Sequence, residues 1–80
     1  MSSTDINLKI RHAKRSNEKS LDISGYGMVD IPADIKSLST LEVLVVSNNK
    51  LTTLKKVLDL PFLRVLDASN NNISQIPPEI

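Results

Sequence analysis

Leu41-Glu42-Val43-Leu44-Val45-Val46-Ser47-Asn48-Asn49-Lys50-Leu51 is answered 22 residues later by Leu63-Arg64-Val65-Leu66-Asp67-Ala68-Ser69-Asn70-Asn71-Asn72-Ile73. Both stretches fit L-x-x-L-x-L-x-x-N-x-L, with Val46 and Ala68 in the sixth place and Ile73 in the last. Self-similarity at such a period marks a repeat architecture. Working outward, Leu21, Ile23, Tyr26 and Met28 stand 23 residues before Leu44, Val46, Asn49 and Leu51. The tails match as well: Ile31-Pro32-x-x-Ile35-x-x-Leu38, Leu54-x-x-Val57-x-x-Leu60 and Ile76-Pro77-x-x-Ile80.

The spacing has a physical reading. A strand alternates its faces, so Leu44 and Val46 point inward while Val43, Val45 and Ser47 point out. One coil cannot bury its apolar edge alone, but coils stacked at about 4.8 Å share a continuous core. Ile35 and Leu38, like Val57 and Leu60, are three residues apart, as a helical or 3₁₀ turn needs to send both inward. Pro32, Pro61 and Pro77 argue against long helices in these segments.

On these residues the chain resembles the intracellular leucine-rich repeat proteins with 22–23-residue repeats and Leu/Ile-Pro-x-x-Ile tails, over residues 18–80. The resemblance implies an α/β solenoid with a short parallel sheet on its concave face. It also implies that Asn49 and Asn71 form a ladder, each amide bonding the backbone of neighbouring turns. An amide suits that role because it carries both donors and an acceptor. In the first copy Tyr26 takes the place, within Ser24-Gly25-Tyr26-Gly27, a departure expected of an end repeat. The two glycines are expected to permit positive φ.

The predicted organisation is a basic capping helix in residues 1–17, then repeats at 18–40, 41–62 and an incomplete 63–80. A helix is expected from about Asp5 to Arg15, capped by Thr4 or Asp5. Its Ile6/Ile10/Ala13 stripe is expected to cover the open end of the first coil. Leu8, Arg11, His12 and Arg15 fall on the opposite side. The alternative is that Lys9, Arg11, Lys14 and Arg15 make the helix a basic surface that touches an anionic partner. At the other end the third copy stops before its closing Leu. The expectation is therefore the N-terminal part of a longer array, or completion by a further repeat segment or subunit.

Composition narrows the function. The 80 residues carry ten Lys/Arg against nine Asp/Glu, a net charge of +1. Lys9, Arg11, Lys14, Arg15 and Lys19 oppose only Asp5 and Glu18 in the first 20 residues, so basic charge is concentrated there. With no cysteine and one histidine, metal ligands are wanting and no cofactor is expected. His12 has no thiol or carboxylate pair beside it, and Gly25-Tyr26-Gly27 lacks the third glycine of a phosphate loop. No apolar run nears the ~20 residues that span a bilayer. Without cysteine or an export signal, an intracellular, cytoplasmic address is expected, and Asn72-Ile73-Ser74 is then an incidental glycosylation sequon.

What remains is a surface. The concave face would present Lys19, Ser20, Asp22 and Ser24 from the first copy, then Glu42, Val43, Val45 and Ser47. The third copy would add Arg64, Val65, Asp67 and Ser69. Val43, Val45 and Val65 would form a small apolar patch flanked by Asp22 and Asp67, although valine also suits a strand that binds nothing. Phe62, where the preceding copy has Thr40, is expected to pack over the convex edge, with a binding anchor as the alternative. The function expected is a non-catalytic protein-interaction module, a scaffold or regulatory subunit in signalling. Alternatives are the recognition part of a multidomain GTPase, kinase or cyclase, or an assembly subunit whose basic helix docks on RNA or an acidic partner. Nucleic acid fits less well than protein, because no aromatic accompanies the basic helix, and its apolar stripe is too narrow for a membrane.

Overall fold

A parallel strand must be followed by a connection that returns the chain to its starting end, and here 22 or 23 residues suffice. In the computed structural model, which describes residues 3–73, three strands lie side by side. They are β1 (Ser20–Asp22), β2 (Val43–Val45) and β3 (Val65–Asp67), in the order β1-β2-β3 and all parallel. Leu21 stands beside Leu44 and Leu44 beside Leu66, so the sequence repeat is the sheet register. The ladder continues past the strands: the Ile23 N–H donates to the Val45 carbonyl at 2.9 Å, and that of Val46 to Asp67 at 2.8 Å.

Each return leg contains one short 3₁₀ helix, Ala33–Ser37 after β1 and Lys55–Asp59 after β2. Pro32, with φ −59°, leads into the first, where its carbonyl accepts the Ile35 N–H at 3.1 Å. In the second, Leu54 accepts from Val57 at 3.1 Å. The three-residue period of such a helix turns Ile35 and Leu38, and Val57 and Leu60, onto one side, and all four are buried. Lys36–Asp59 at 3.1 Å and Lys56–Asp30 at 2.8 Å tie the two return legs together on the outside.

Between sheet and return legs lies an aliphatic core that includes Ile23, Ile31, Leu41, Leu44, Val46 and Leu51. Burial falls off toward β3. Leu63, Leu66, Ala68 and Ile73 are only partly buried, whereas Leu41, Leu44, Val46 and Leu51, one repeat earlier, are fully enclosed. The reason is geometric: the middle coil has a neighbour on both sides, while the third is covered, among the described residues, only on its β2 side.

Beside the first coil lies α1 (Ser3–Arg15), whose Ile6, Ile10 and Ala13 are buried in the same core. The helix begins two residues earlier than its sequence pattern indicates, which puts Asp5 inside the first turn rather than at the cap. There the carboxylate still complements the positive end of the helix dipole. Its C-terminus closes in a Schellman motif. Asn17 adopts φ +49°, its N–H donates to Lys14 at 3.3 Å, and the Glu18 N–H donates to Ala13 at 2.9 Å. Phe62 departs from its expected place over the convex edge: it is 63% exposed on the turn before β3. The Ile76, Pro77 and Ile80 tail lies outside the described residues.

Candidate protein-binding face

Strand alternation places three rungs of side chains on the outer side of the sheet, and a further rung stands where the chain enters each strand. This entry rung consists of Lys19, Glu42 and Arg64, each one residue before its strand. The Glu42 carboxylate is bracketed by the Lys19 ammonium at 3.7 Å and the Arg64 guanidinium at 3.5 Å. Both cations are largely exposed, so each pair adds little stability, on the order of 0–1 kcal/mol. What the rung does is hold alternating charge along one edge of the face.

Above it run Ser20, Val43 and Val65, then Asp22, Val45 and Asp67, aligned by the sheet register. Val43 and Val45 are half-buried and Val65 is 52% exposed. Asp22 and Asp67 flank Val45 at one strand spacing each, roughly 4.8 Å. They are built alike. Asp22 Oδ1 accepts the Ser24 hydroxyl at 2.6 Å and the Ser24 N–H at 2.9 Å. Asp67 Oδ1 accepts the same groups of Ser69 at 2.8 and 3.1 Å.

These hydrogen bonds, the hydroxyl foremost, hold both carboxyls below the ordinary carboxylate value, and Lys9 adds a smaller pull on Asp22. Both therefore stay ionised at neutral pH. In the middle repeat Val45 replaces the aspartate. An apolar side chain thus stands between two fixed negative charges, with the valines of the rung below beside it.

The last rung, Ser24, Ser47 and Ser69, differs from its sequence expectation at the centre. Ser47 is only 8% exposed and offers a partner almost no surface. It sits where the chain turns inward, its carbonyl accepting both the Gly25 N–H at 3.1 Å and the Asn49 amide at 3.1 Å. The other nine residues predicted for the face, Asp22, Ser24, Glu42, Val43, Val45, Arg64, Val65, Asp67 and Ser69, are half-buried or exposed and share the outer side.

Behind this rung lie the asparagines. Asn49 is buried, and its Nδ2 donates to the carbonyls of Val46 at 2.9 Å, Ile23 at 3.1 Å and Ser47. Asn71 repeats the pattern with Val46 at 2.9 Å, Ala68 at 3.0 Å and Ser69 at 3.1 Å. The positive φ expected of Gly25 and Gly27 is observed, at +74° and +70°, whereas that of Asn48 and Asn70 was not anticipated. Gly25, Asn48 and Asn70 occupy one repeat position and have φ of +74°, +55° and +56°. The signal was there to read: Gly and Asn are the residues that visit this region most readily, and Gly25, Asn48 and Asn70 recur in register.

The basic helix residues do not act as one group. Lys9 faces β1, its ammonium donating to the Asp22 carbonyl and lying 5.5 Å from the centre of the Tyr26 ring. Arg11 and Arg15 share an open groove with Leu8, His12 and Ser16, and Lys14 is not among its lining residues. Among the described residues no three His, Cys, Asp or Glu side chains gather as a metal site. No described helix is long and apolar enough to cross a membrane.

Against known families, a model described as "Leucine Rich repeats (2 copies)" matches residues 39–79, about half the chain. The matched span takes in β2, the second 3₁₀ helix and β3; β1 lies outside it yet pairs with β2 in register. No curated protein matches the chain.

Proposed function

The chain belongs to the leucine-rich repeat family, and from that premise we propose that it is a non-catalytic scaffold or regulatory module binding a protein on the concave face of its sheet. Leucine-rich repeats are generally protein–protein interaction modules, typically without catalysis of their own. One observation carries the reading: Val43, Val45 and Val65 form an apolar patch rimmed by Asp22, Asp67 and the Lys19–Glu42–Arg64 rung. An apolar centre with a polar, charged rim is the plan of a binding interface. In this reading Asp22, Asp67, Glu42 and Arg64 orient the partner, Ser24 and Ser69 fix the carboxylates, and the valines supply the contact. The cellular setting would be the cytoplasm.

We further read residues 1–17 as the cap and 18–40, 41–62 and 63–80 as successive repeats of a longer array. Support comes from the incomplete burial of Leu63, Leu66 and Ala68, side chains whose counterparts in the middle coil are fully enclosed. A further repeat or subunit stacked on β3 would enclose them.

The concave face is tested by affinity purification from the native source with Val45→Lys and Val65→Glu. The lysine falls between two carboxylates, so it removes the apolar patch without straining the fold. A partner held by the unaltered chain should be lost with both variants while their melting curves stay unchanged. Retention of the partner by both variants would place the contact elsewhere.

A further inference from the structure

Helix α1 points two rows of side chains in different directions. Ile6, Ile10 and Ala13 complete its contact with the core. Leu8, Arg11, His12 and Arg15, spaced i, i+3, i+4 and i+7, form a second row on the solvent side, and all four are exposed. Leu8 is 53% exposed, so the fold makes little use of it. An aliphatic side chain set among three basic ones is left over from stability.

Two grooves meet at this row, with Leu8 and His12 shared by both. One is the open basic groove with Arg11 and Arg15. The other, about 390 Å³, runs between α1 and β1. Leu8, Ala13 and Leu21 supply its apolar lining, Glu18 and Asp22 stand on its strand side, and Lys9 reaches across it to the Asp22 carbonyl.

Charge selects the occupant. Lys19, Lys36, Lys56 and Arg64 are taken up in ion pairs, and Lys9 by the Asp22 carbonyl. Among the described residues no ion pair engages Arg11 or Arg15, so their field is uncompensated. Neither groove is lined by an aromatic ring on which a base would stack, and a lone leucine is too little to enter a bilayer. An arginine pair beside an apolar groove fits protein carboxylates next to an aliphatic side chain.

We propose that the Leu8–Arg11–His12–Arg15 row is a second docking surface, independent of the concave face, for an acidic protein segment carrying one aliphatic anchor. The anchor seats against Leu8 in the groove above Ala13 and Leu21. Its carboxylates pair with Arg11 and Arg15. On the strand side Glu18 repels acid, while Lys9, which also lines this groove, offsets Asp22. The acidic flank of the segment therefore lies over Arg11 and Arg15 and its neutral flank toward Glu18.

The probe is a short fluorescein-labelled peptide of Glu and Ala around one central Leu, titrated against the 80-residue chain by anisotropy. Controls are the same peptide with Ala for Leu, a single-stranded RNA of equal charge, and phosphatidylserine vesicles. The Leu peptide should bind tightest and weaken with added salt. The double variant Arg11→Gln, Arg15→Gln should lower its affinity by on the order of tenfold, and Leu8→Ser by several-fold. Val45→Lys should leave it unchanged. Circular dichroism melts confirm that these exposed substitutions leave the fold in place. RNA or vesicles bound as tightly as the peptide would overturn the proposal. So would equal binding by Leu8→Ser, or no binding of the Leu peptide.

Discussion

Asn49 bonds backward, to the coil before its own: its side-chain oxygen accepts the Met28 N–H at 3.0 Å. Asn71 does the same to Leu51, also at 3.0 Å. The bonds between coils therefore have a direction: besides those within its own repeat, each asparagine reaches to the repeat that precedes it. Among the described residues α1, not a coil, stands before the first repeat, and an asparagine there would have no coil to reach. Tyr26 can stand there because the ladder uses only its backbone N–H, which donates to Asn49 at 3.0 Å.

Removing these amides should destabilise the fold unequally. Asn49 is buried, with its Oδ1 accepting two backbone N–H groups and the two hydrogens of its Nδ2 shared among three carbonyls. Asn49→Ala strands backbone groups of two coils away from water and should cost about 3 kcal/mol. Asn71 is only partly buried, so solvent can replace what Asn71→Ala removes, and about 1 kcal/mol is expected. Urea unfolding of the two variants gives the comparison. Equal midpoint shifts would contradict the burial gradient.

The left-handed turn positions make a sharper test, because side-chain contact is not involved. A Cβ added at Gly25 would meet nothing within 4 Å, so only φ opposes it, and Gly25→Ala should cost about 1 kcal/mol. Asn48→Gly should be nearly neutral, while Asn48→Val, β-branched at φ +55°, should cost about 2 kcal/mol. Thermal melts should show the smallest loss for Asn48→Gly, an intermediate one for Gly25→Ala and the largest for Asn48→Val. A neutral Asn48→Val would mean that the turn is not held left-handed.

Matched truncations in the core measure how closed each coil is. Leu44 is fully enclosed and Leu44→Ala should cost about 3–4 kcal/mol. Leu66, its partner on β3, is only partly buried, so Leu66→Ala should cost about half as much. An equal loss at Leu66 would show that its outer side is covered in solution.

Acid should weaken the fold in a defined window. Asp22 and Asp67 are held below their ordinary value of 3.8 by the Ser24 and Ser69 hydrogen bonds, and Asp30 chiefly by its bond to Lys56. A carboxyl depressed in the folded state stabilises above the unfolded value, and that contribution is lost as pH falls through the folded one. Melting temperature should therefore be flat above about pH 5 and decline below about pH 4. The slope is modest because all three groups are exposed. Asp22→Asn with Asp67→Asn should make the decline shallower; an unchanged slope would assign it to other carboxyls.

Much of this molecule is determined by local sequence. The 22–23-residue period sets the strand register. Alternation separated Leu44 and Val46 from Val43 and Val45, and a three-residue spacing marked the 3₁₀ helices. These signals are legible because each depends on the periodicity of one element and on burial of its apolar side. Tertiary structure decided the rest. That Ser47 is enclosed while Ser24 and Ser69 are reachable depends on neighbours a full coil away, at a position where all three repeats carry the same residue. That Lys9 turns to β1 while Arg11 and Arg15 remain unpaired depends on how α1 sits against the first coil, which charge counting does not reveal. The direction of the asparagine ladder is likewise invisible in L-x-x-L-x-L-x-x-N-x-L. An amide can bond either way along a stack, and only the packed backbone decides which way it turns.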